Sequence, residues 1–257
     1  MDLRSITPVI LTWNEEPNIG RTLAALAWAE DIVVVDSLST DRTAQICRDH
    51  PHVRVVERAF DAHAAQWNFA TRECAVRTDW ILALDADYVV SAELVRELES
   101  LEDGADVAAY EARFVYCVAG QPLRSGVYPP VTVLFRRGRG AYAQDGHTQR
   151  LAVDGRSARL RAPILHDDRK PLARWLASQA RYMALEAEKL ATAPAGSLGP
   201  ADRLRKLVVP APFLMFFYAY FVKGAILDGR PGLYYALQRA AAEAILSLSL
   251  LHRKLFR

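Results

Sequence analysis

At 257 residues and 51% hydrophobic, the chain is long enough to bury a sizeable core, as one large domain or a domain with an appendage. Near-balanced charge, 32 basic against 30 acidic residues, argues against a general nucleic-acid binder. Cys47, Cys74 and Cys117 are odd in number and lack metal-type spacing, which excludes a disulfide framework or a zinc site and suits a reducing compartment.

In chain order, Ile6 to Thr12 is a short apolar run that ends in the polar turn Asn14-Glu15-Glu16-Pro17-Asn18. A helix follows, with Ile19, Leu23 and Leu26 on one face. Ile32-Val33-Val34-Val35 is β-branched and stops at Asp36, after which Ser39-Thr40-Asp41 supplies a helix start. Val53 to Val56 is a third strand, Ala62 to Ala75 a third helix, and Trp80 to Leu84 a fourth strand ending at Asp85. Strand and helix alternating at this spacing predict a mostly parallel α/β sheet covered on both faces, which also explains why the strands are apolar throughout.

Beyond Glu99 the pattern changes. Val107 to Val118 reads as one long extended stretch, Gln121-Pro122 as a turn and Val131 to Phe135 as a further strand. Short glycine-punctuated pieces then run to Leu165, predicting mixed or antiparallel structure on the sheet's edge. A long helix is expected from Pro171, with proline in its first turn, to about Ala191. The expected divisions are 1–193, split near 100, then a Pro/Gly/Ser linker at 194–201 and a C-terminal helical segment at 202–257.

That last segment carries nine Lys/Arg against three acids from residue 201 onward. Leu207 to Val222 has no charge but is interrupted by Pro210 and Pro212, and it falls short of the ~20 apolar residues a spanning helix needs. Leu233 to Leu251 is amphipathic. Two basic, apolar, aromatic-rich pieces predict helices lying in or against one leaflet of an anionic membrane; a helical hairpin packed on the core is the alternative. Met1 to Ser5 runs straight into a strand without a leader pattern, so the expected place is the cytoplasmic side of the plasma membrane, peripherally bound.

In open parallel sheets ligands bind beyond the carboxyl ends of the strands. The residues there are Thr12, Trp13, Asn14 and Glu15, then Asp36 to Asp41, then Asp85-Ala86-Asp87. Three carboxylate-bearing strand ends on one rim would repel an anionic ligand unless a cation sat between them, which is the physical case for a metal-bridged diphosphate. No GxGxxG or GxxxxGK loop is present to cradle phosphate directly.

The runs Leu11-Thr12-Trp13-Asn14-Glu15-Glu16, Val34 to Thr43 and Leu84-Asp85-Ala86-Asp87 resemble the three N-terminal motifs of family 2 inverting glycosyltransferases, which have a GT-A fold. A lone Asp-X-Asp is weak; all three in order at strand ends are specific. Gln66-Trp67-Asn68-Phe69-Ala70, Phe135 to Gly138, Gly146-His147, Leu165-His166 and Leu227-Asp228-Gly229 extend the resemblance to the branch of β-1,4-glucosyltransferase-like proteins that build the lipopolysaccharide core of the bacterial envelope.

The resemblance implies a nucleotide-diphosphate sugar donor, UDP-sugar favoured, and a lipid-linked acceptor. It implies that Asp36 pairs with the base, aided by Thr12 to Glu15, and that Asp85 meets the ribose or a metal-bound water. Asp87 would ligate Mg2+ or Mn2+ through oxygen, with His166 as a further metal or pyrophosphate ligand. The alternative for Asp87 is a cap for the helix starting near Ser91, and for His166 a cap, with Asp168, for the helix from Pro171. Gln66 and Asn68 are expected to line the donor pocket, Arg169 and Lys170 to neutralise the leaving phosphate, and His147 to contact acceptor or phosphate. Asp145, on a glycine-flexed loop, is the candidate general base that an inverting transfer requires. Leu38, Trp67, Tyr88 and Thr148 depart from the family's usual residues. A polyprenyl-phosphate glycosyltransferase would want full spanning helices, and a nucleotidyltransferase a Gly-rich loop; a membrane-bound sugar-nucleotide sensor would bind donor without turnover.

Overall fold

Side chains along the first strands alternate between two apolar layers, which is what makes these runs strands buried on both faces. The computed structural model describes residues 1–102, 104, 106–145 and 148–256. Strands β1 (Ile6–Thr12), β2 (Ile32–Asp36), β3 (Val53–Glu57) and β4 (Trp80–Asp85) alternate with helices α1 (Ile19–Ala24), α2 (Thr43–Arg48) and α3 (His63–Arg72). Ile6, Ile10, Ile32, Val34, Leu82 and Leu84 point into one layer, closed by Leu23 of α1, Cys47 of α2 and Leu94 and Leu98 of α4 (Ala92–Ser100). Val9, Val33, Val35, Ile81 and Ala83 point into the other, closed by Trp67 and Ala70 of α3.

The remaining strands are β5 (Tyr88–Val90), β6 (Val107–Ala112), β7 (Phe114–Val118), β8 (Gln121–Pro122), β9 (Val131–Arg136), β10 (Gly140–Asp145), β11 (Thr148–Val153), β12 (Arg156–Arg159) and β13 (Ile164–His166). The main sheet runs β12-β6-β9-β4-β1-β2-β3. Strands β4, β1, β2 and β3 are mutually parallel, and β9 is antiparallel to both β4 and β6. A mostly parallel sheet with a mixed extension is the arrangement the sequence pattern predicts. The expected single strand over Val107 to Val118 breaks at Arg113: β6 is largely buried in the main sheet, whereas half-exposed β7 pairs with β13, which in turn pairs with β5. Gln121 and Pro122 are a short strand; the turn before them is at Ala119 and Gly120, both with positive φ.

The chain divides into two compact units, 1–117 with 128–169, and 118–127 with 170–257. This division lies upstream of the linker expected at 194–201. The second unit holds α5 (Leu172–Thr192), α6 (Pro200–Arg205), α7 (Pro210–Phe217) and α8 (Gly229–Leu255). Met183, Ala187 and Leu190 of α5 pack against Leu246 and Leu250 of α8, and Glu243 takes the Arg205 guanidinium at 2.7 and 3.0 Å. Pro171 stands at the N-cap of α5, just outside the first turn where it was expected. Pro210 and Pro212 do not interrupt the apolar run: they occupy the first turn of α7, where no N–H is required, and the helix continues through a π turn to Val222. Gly224, at φ 80°, breaks it, and Asp228 closes the bend by accepting from Arg124 N, Ser125 N and Ser125 Oγ at 3.0–3.2 Å. Gly232 is required there, because a Cβ would fall 1.9 Å from the Ala225 carbonyl oxygen. Among the described residues no single helix is long and apolar enough to cross a membrane; Pro210–Val222 and Ala225–Leu255 form a pair bent by 66°.

Candidate active site

The site begins with sheet register. Thr12 lies beside Asp36 and Leu11 beside Asp85, so the three motif-bearing strands end at one edge. Most of the polar side chains there fasten the loops to each other. Asp36 is 1% exposed and accepts from Thr12 Oγ1 at 2.8 Å and from Ser39 N and Oγ at 2.8 and 2.6 Å. Its carboxylate, expected to pair with a nucleotide base, also holds the loop after β2 in place. Asn14, at φ 55°, accepts from Thr40 N at 2.7 Å, while its own N–H donates to Ser39 Oγ. Glu15 N donates to Thr43 Oγ1, and Glu16 holds Arg42 at 2.8 Å. Leu38 within this loop also has positive φ, 60°, a conformation that costs a residue bearing a Cβ.

Gln66 and Asn68, expected to line the donor pocket, both have hydrogen-bond partners within the protein. Gln66 is fully buried, its amide donating to Ser37 Oγ at 3.1 Å and accepting from Arg58. Asn68 pairs with the backbone of Tyr142 in both directions at 2.8 and 3.0 Å, docking β10 on α3. A polar residue on a helix face gives no sign in sequence of whether it meets ligand or backbone. Trp67 stacks on Tyr142 in the core, ring centroids 5.3 Å apart. Trp13, by contrast, is 42% exposed at the rim.

Asp85 ends β4, and Ala86 and Asp87 form the turn to β5. The Ala86 carbonyl accepts from Thr22 Oγ1 at 2.7 Å, and Tyr88 hydrogen-bonds Asp85. His166 is opposite Tyr88 in the β13–β5 register, which brings its Nε2 to 3.2 Å from Asp87 Oδ2. Burial is the largest influence on the imidazole and disfavours its charge; Asp87, Asp85 and Asp168 outweigh it and hold the His166 pKa above its ordinary value. The capping alternatives fall away: Ser91 caps α4 through Leu94 N, and no side chain caps α5.

A third support was not read from the sequence. Asn18, 1% exposed, donates to Glu15 Oε2 and Asp168 Oδ1 at 2.8 and 3.0 Å and accepts from Arg21 and Arg169 N at 3.0 and 2.9 Å. Arg169 and Arg21 share Asp167, which is 5% exposed; Arg169 approaches it at 2.7 Å. Burial, then the neighbouring Arg169 charge, lowers the Arg21 pKa. Asn18 closes a visible polar turn, but nothing local announces partners some 150 residues onward.

Asp145 ends β10 and pairs with Arg150 at 3.0 Å, and neighbouring Gln144 anchors the hairpin by accepting from Ala64 N at 3.1 Å. His147 lies outside the described residues.

The donor chemistry suits a hard divalent cation held from one side. Asp87 and His166 converge, and Asp85 is near enough to influence His166. Among the described residues no group of three or more His, Cys, Asp or Glu closes around a point. A carboxylate with the rest of the sphere left to water and phosphate oxygens is how Mg2+ is commonly bound beside a diphosphate, so Asp87 fits the ion, while the His166 imidazole is a nitrogen donor less suited to it.

Fold and rim together define an α/β protein built to bind a ligand at the carboxyl edge of its sheet. The model of "Glycosyl transferase family 2" matches residues 7–161, more than half of the chain. The chain belongs to glycosyl transferase family 2. It is 26% identical to the lipopolysaccharide core biosynthesis glycosyltransferase LpsC of Rhizobium meliloti, over 91% of this chain and 87% of that one. It is 36% identical to an uncharacterized glycosyltransferase of Rickettsia bellii over 97 residues, 37% of this chain but about a third (32%) of that relative's length. Among solved structures, TarS 1-349 of S. aureus in complex with UDP-GlcNAc superposes with a TM-score of 0.51 at 15% identity, over 98% of this chain and 92% of that one. The fold is GT-A.

Proposed function

We propose that the chain transfers a sugar, with inversion, from a nucleotide-diphosphate donor to a lipid-linked saccharide or lipid acceptor at the cytoplasmic face of the membrane, in cell-envelope glycan synthesis. The observation that carries this reading is the Asp85–Asp87–His166 group at the sheet edge of a family 2 chain. UDP is the favoured nucleotide and lipopolysaccharide core the favoured product class. The UDP-GlcNAc bound to TarS and the name of the Rhizobium relative support both.

Asp87 and His166 would hold Mg2+ or Mn2+, which when bound offsets the charge of the diphosphate as it leaves. Trp13 offers an exposed ring to the base, and Thr12, Asn14, Glu15 and Asp36 hold that rim in place. Asp145 takes the proton of the acceptor hydroxyl as that oxygen bonds to the anomeric carbon from the face opposite the diphosphate, which departs with the bonding electron pair. Arg150 orients the Asp145 carboxylate. In the second unit Phe213, Phe217, Val222 and Leu227 are 57–74% exposed in a segment of net positive charge, a composition that suits an anionic lipid surface. Tethering the catalytic unit to that surface raises the local concentration of a lipid-linked acceptor.

The test is incubation of the full chain with Mn2+ or Mg2+ and a panel of nucleotide-diphosphate sugars, scoring metal-dependent binding and slow donor hydrolysis. Asp145→Asn should keep donor affinity and lose turnover, while Asp87→Asn should lose both. Donor binding with no turnover in the parent chain would leave a sensor, and silence with every donor would remove the proposal.

A further inference from the structure

Among the described residues of the first unit three large aromatic side chains remain substantially exposed: Trp13, Phe60 and Tyr128, at 42, 49 and 52%. Phe60 packs edge-on to His63 at the start of α3, ring centroids 5.0 Å apart. Trp13 belongs to the β1 rim. Tyr128 is of another kind, because it is the outer end of a run of rings leading from the Asp-X-Asp turn. His166, in contact with Asp87, has its ring 4.6 Å from that of Tyr116, and Tyr116 is 5.4 Å from Tyr128 with the planes 32° apart. Tyr88 and Phe114 support the inner end from beside it, 4.6 Å from each other, with Tyr88 5.2 Å from His166.

The run is fixed by strand pairing. Tyr116 and His166 are partners in the parallel β7–β13 register, and His166 and Tyr88 in the antiparallel β13–β5 register, so neighbouring strands present these rings in one row. A pyranose has a face of C–H bonds and a rim of hydroxyls. An aromatic face in water with a polar tip matches it, covering the apolar face and leaving the hydroxyls hydrated or hydrogen-bonded. The position also separates this feature from the β1 rim: it extends from β7 and β13, whereas Trp13 follows β1.

We infer that Tyr128 and Tyr116 form the platform for the saccharide portion of the acceptor, with Tyr128 contacting the sugar face and Tyr116 buttressing it against His166. The inference rests on the reading of the chain as a sugar transferase, and it narrows the acceptor: a saccharide presenting a C–H face is bound, and a bare lipid phosphate is not.

The experiment uses the full chain and saccharide probes alone. Saturation-transfer NMR with methyl β-D-glucopyranoside, methyl β-D-galactopyranoside and cellobiose should give transfer to ring protons of at least one probe. Tyr128→Ala should weaken that binding about tenfold, and Tyr128→Phe should retain it. UDP binding in the presence of Mn2+, measured by calorimetry on the same proteins, should be unchanged in both variants. Absence of signal from every saccharide, or equal binding by Tyr128→Ala, would overturn the inference and leave the donor reading standing. Saccharide binding by a chain that ignores every nucleotide would do the reverse. A drop in both affinities in Tyr128→Ala alone would mark the residue as a general structural support and also refute the platform.

Discussion

Asn18→Ala tests whether the rim is held as described. The carboxamide is 1% exposed and makes four hydrogen bonds, three of them with the charged side chains of Glu15, Asp168 and Arg21. A net hydrogen bond contributes about 1 kcal/mol, and about 1.5–3 when one partner is charged. Simple addition would overshoot, because the partners are partly exposed and water would replace some of the lost contacts. A loss of about 3 kcal/mol is the expected outcome. Urea unfolding of the full chain, followed by tryptophan fluorescence, measures it. Asn18→Asp sharpens the test, since it puts a third carboxylate where Nδ2 now donates to two others. It should cost more than Asn18→Ala at neutral pH, despite its closer shape. A loss below 1 kcal/mol for Asn18→Ala, or an aspartate variant more stable than the alanine variant, would refute the account of this rim.

Leu38→Gly removes a Cβ from a residue at φ 60°. Relief of about 1–2 kcal/mol of left-handed strain outweighs the ~0.5–1 kcal/mol entropic cost of glycine, so the variant should unfold at a slightly higher urea concentration, and a lower midpoint would contradict this. Burial pushes the thiols of Cys47 and Cys117 up to about 12 and about 11. At pH 8 both are therefore protonated, with thiolate fractions of roughly 10⁻⁴ and 10⁻³, and reaction with a thiol reagent should be slow until urea exposes them. A fast burst from either cysteine in the native chain would refute that. The full chain should float with vesicles containing anionic lipid, less so at high salt. Phe213→Ser with Phe217→Ser should cut the bound fraction at least tenfold, since each ring contributes ~1.5–3 kcal/mol when fully buried. Equal flotation of the double variant would exclude these rings from the contact.

The parallel frame was legible because its signals are local. Four β-branched or apolar runs, each closed by a polar turn, read as strands; β1, β2 and β4 run buried where the pattern places them, and β3 is the half-exposed edge. The extension was less legible because its boundaries depend on partners. The break between β6 and β7 at Arg113 follows from β9 claiming one segment and β13 the other. Proline at 210 and 212 misled for a different reason. Its effect reverses between the interior and the first turn of a helix, and only the position of the helix start decides which applies.

The site residues separate along a line that polarity alone cannot draw. Asp36, Asn14, Gln66 and Asn68 are as polar as Asp85 and Asp87, and polarity alone does not foretell which loop or strand each one fastens. Loops at a sheet edge cannot satisfy their backbone groups within the sheet, so side chains must do it. Asp36 to Ser39, Asn14 to Thr40 and Asn68 to Tyr142 are such fastenings. Asp87, in the turn before β5, and His166, at the end of β13, are far apart in the chain and meet through β5–β13 pairing. The Asp36 to Ser39 fastening spans three residues and can be guessed from the sequence, whereas Asn14 to Thr40 and Asn68 to Tyr142 span 26 and 74 and cannot. The juxtaposition of a carboxylate with an imidazole was expected only through the family resemblance, because it is a product of register that no local spacing carries. A variant that slipped β13 by one residue would turn His166 to the opposite face and leave every motif in the sequence intact.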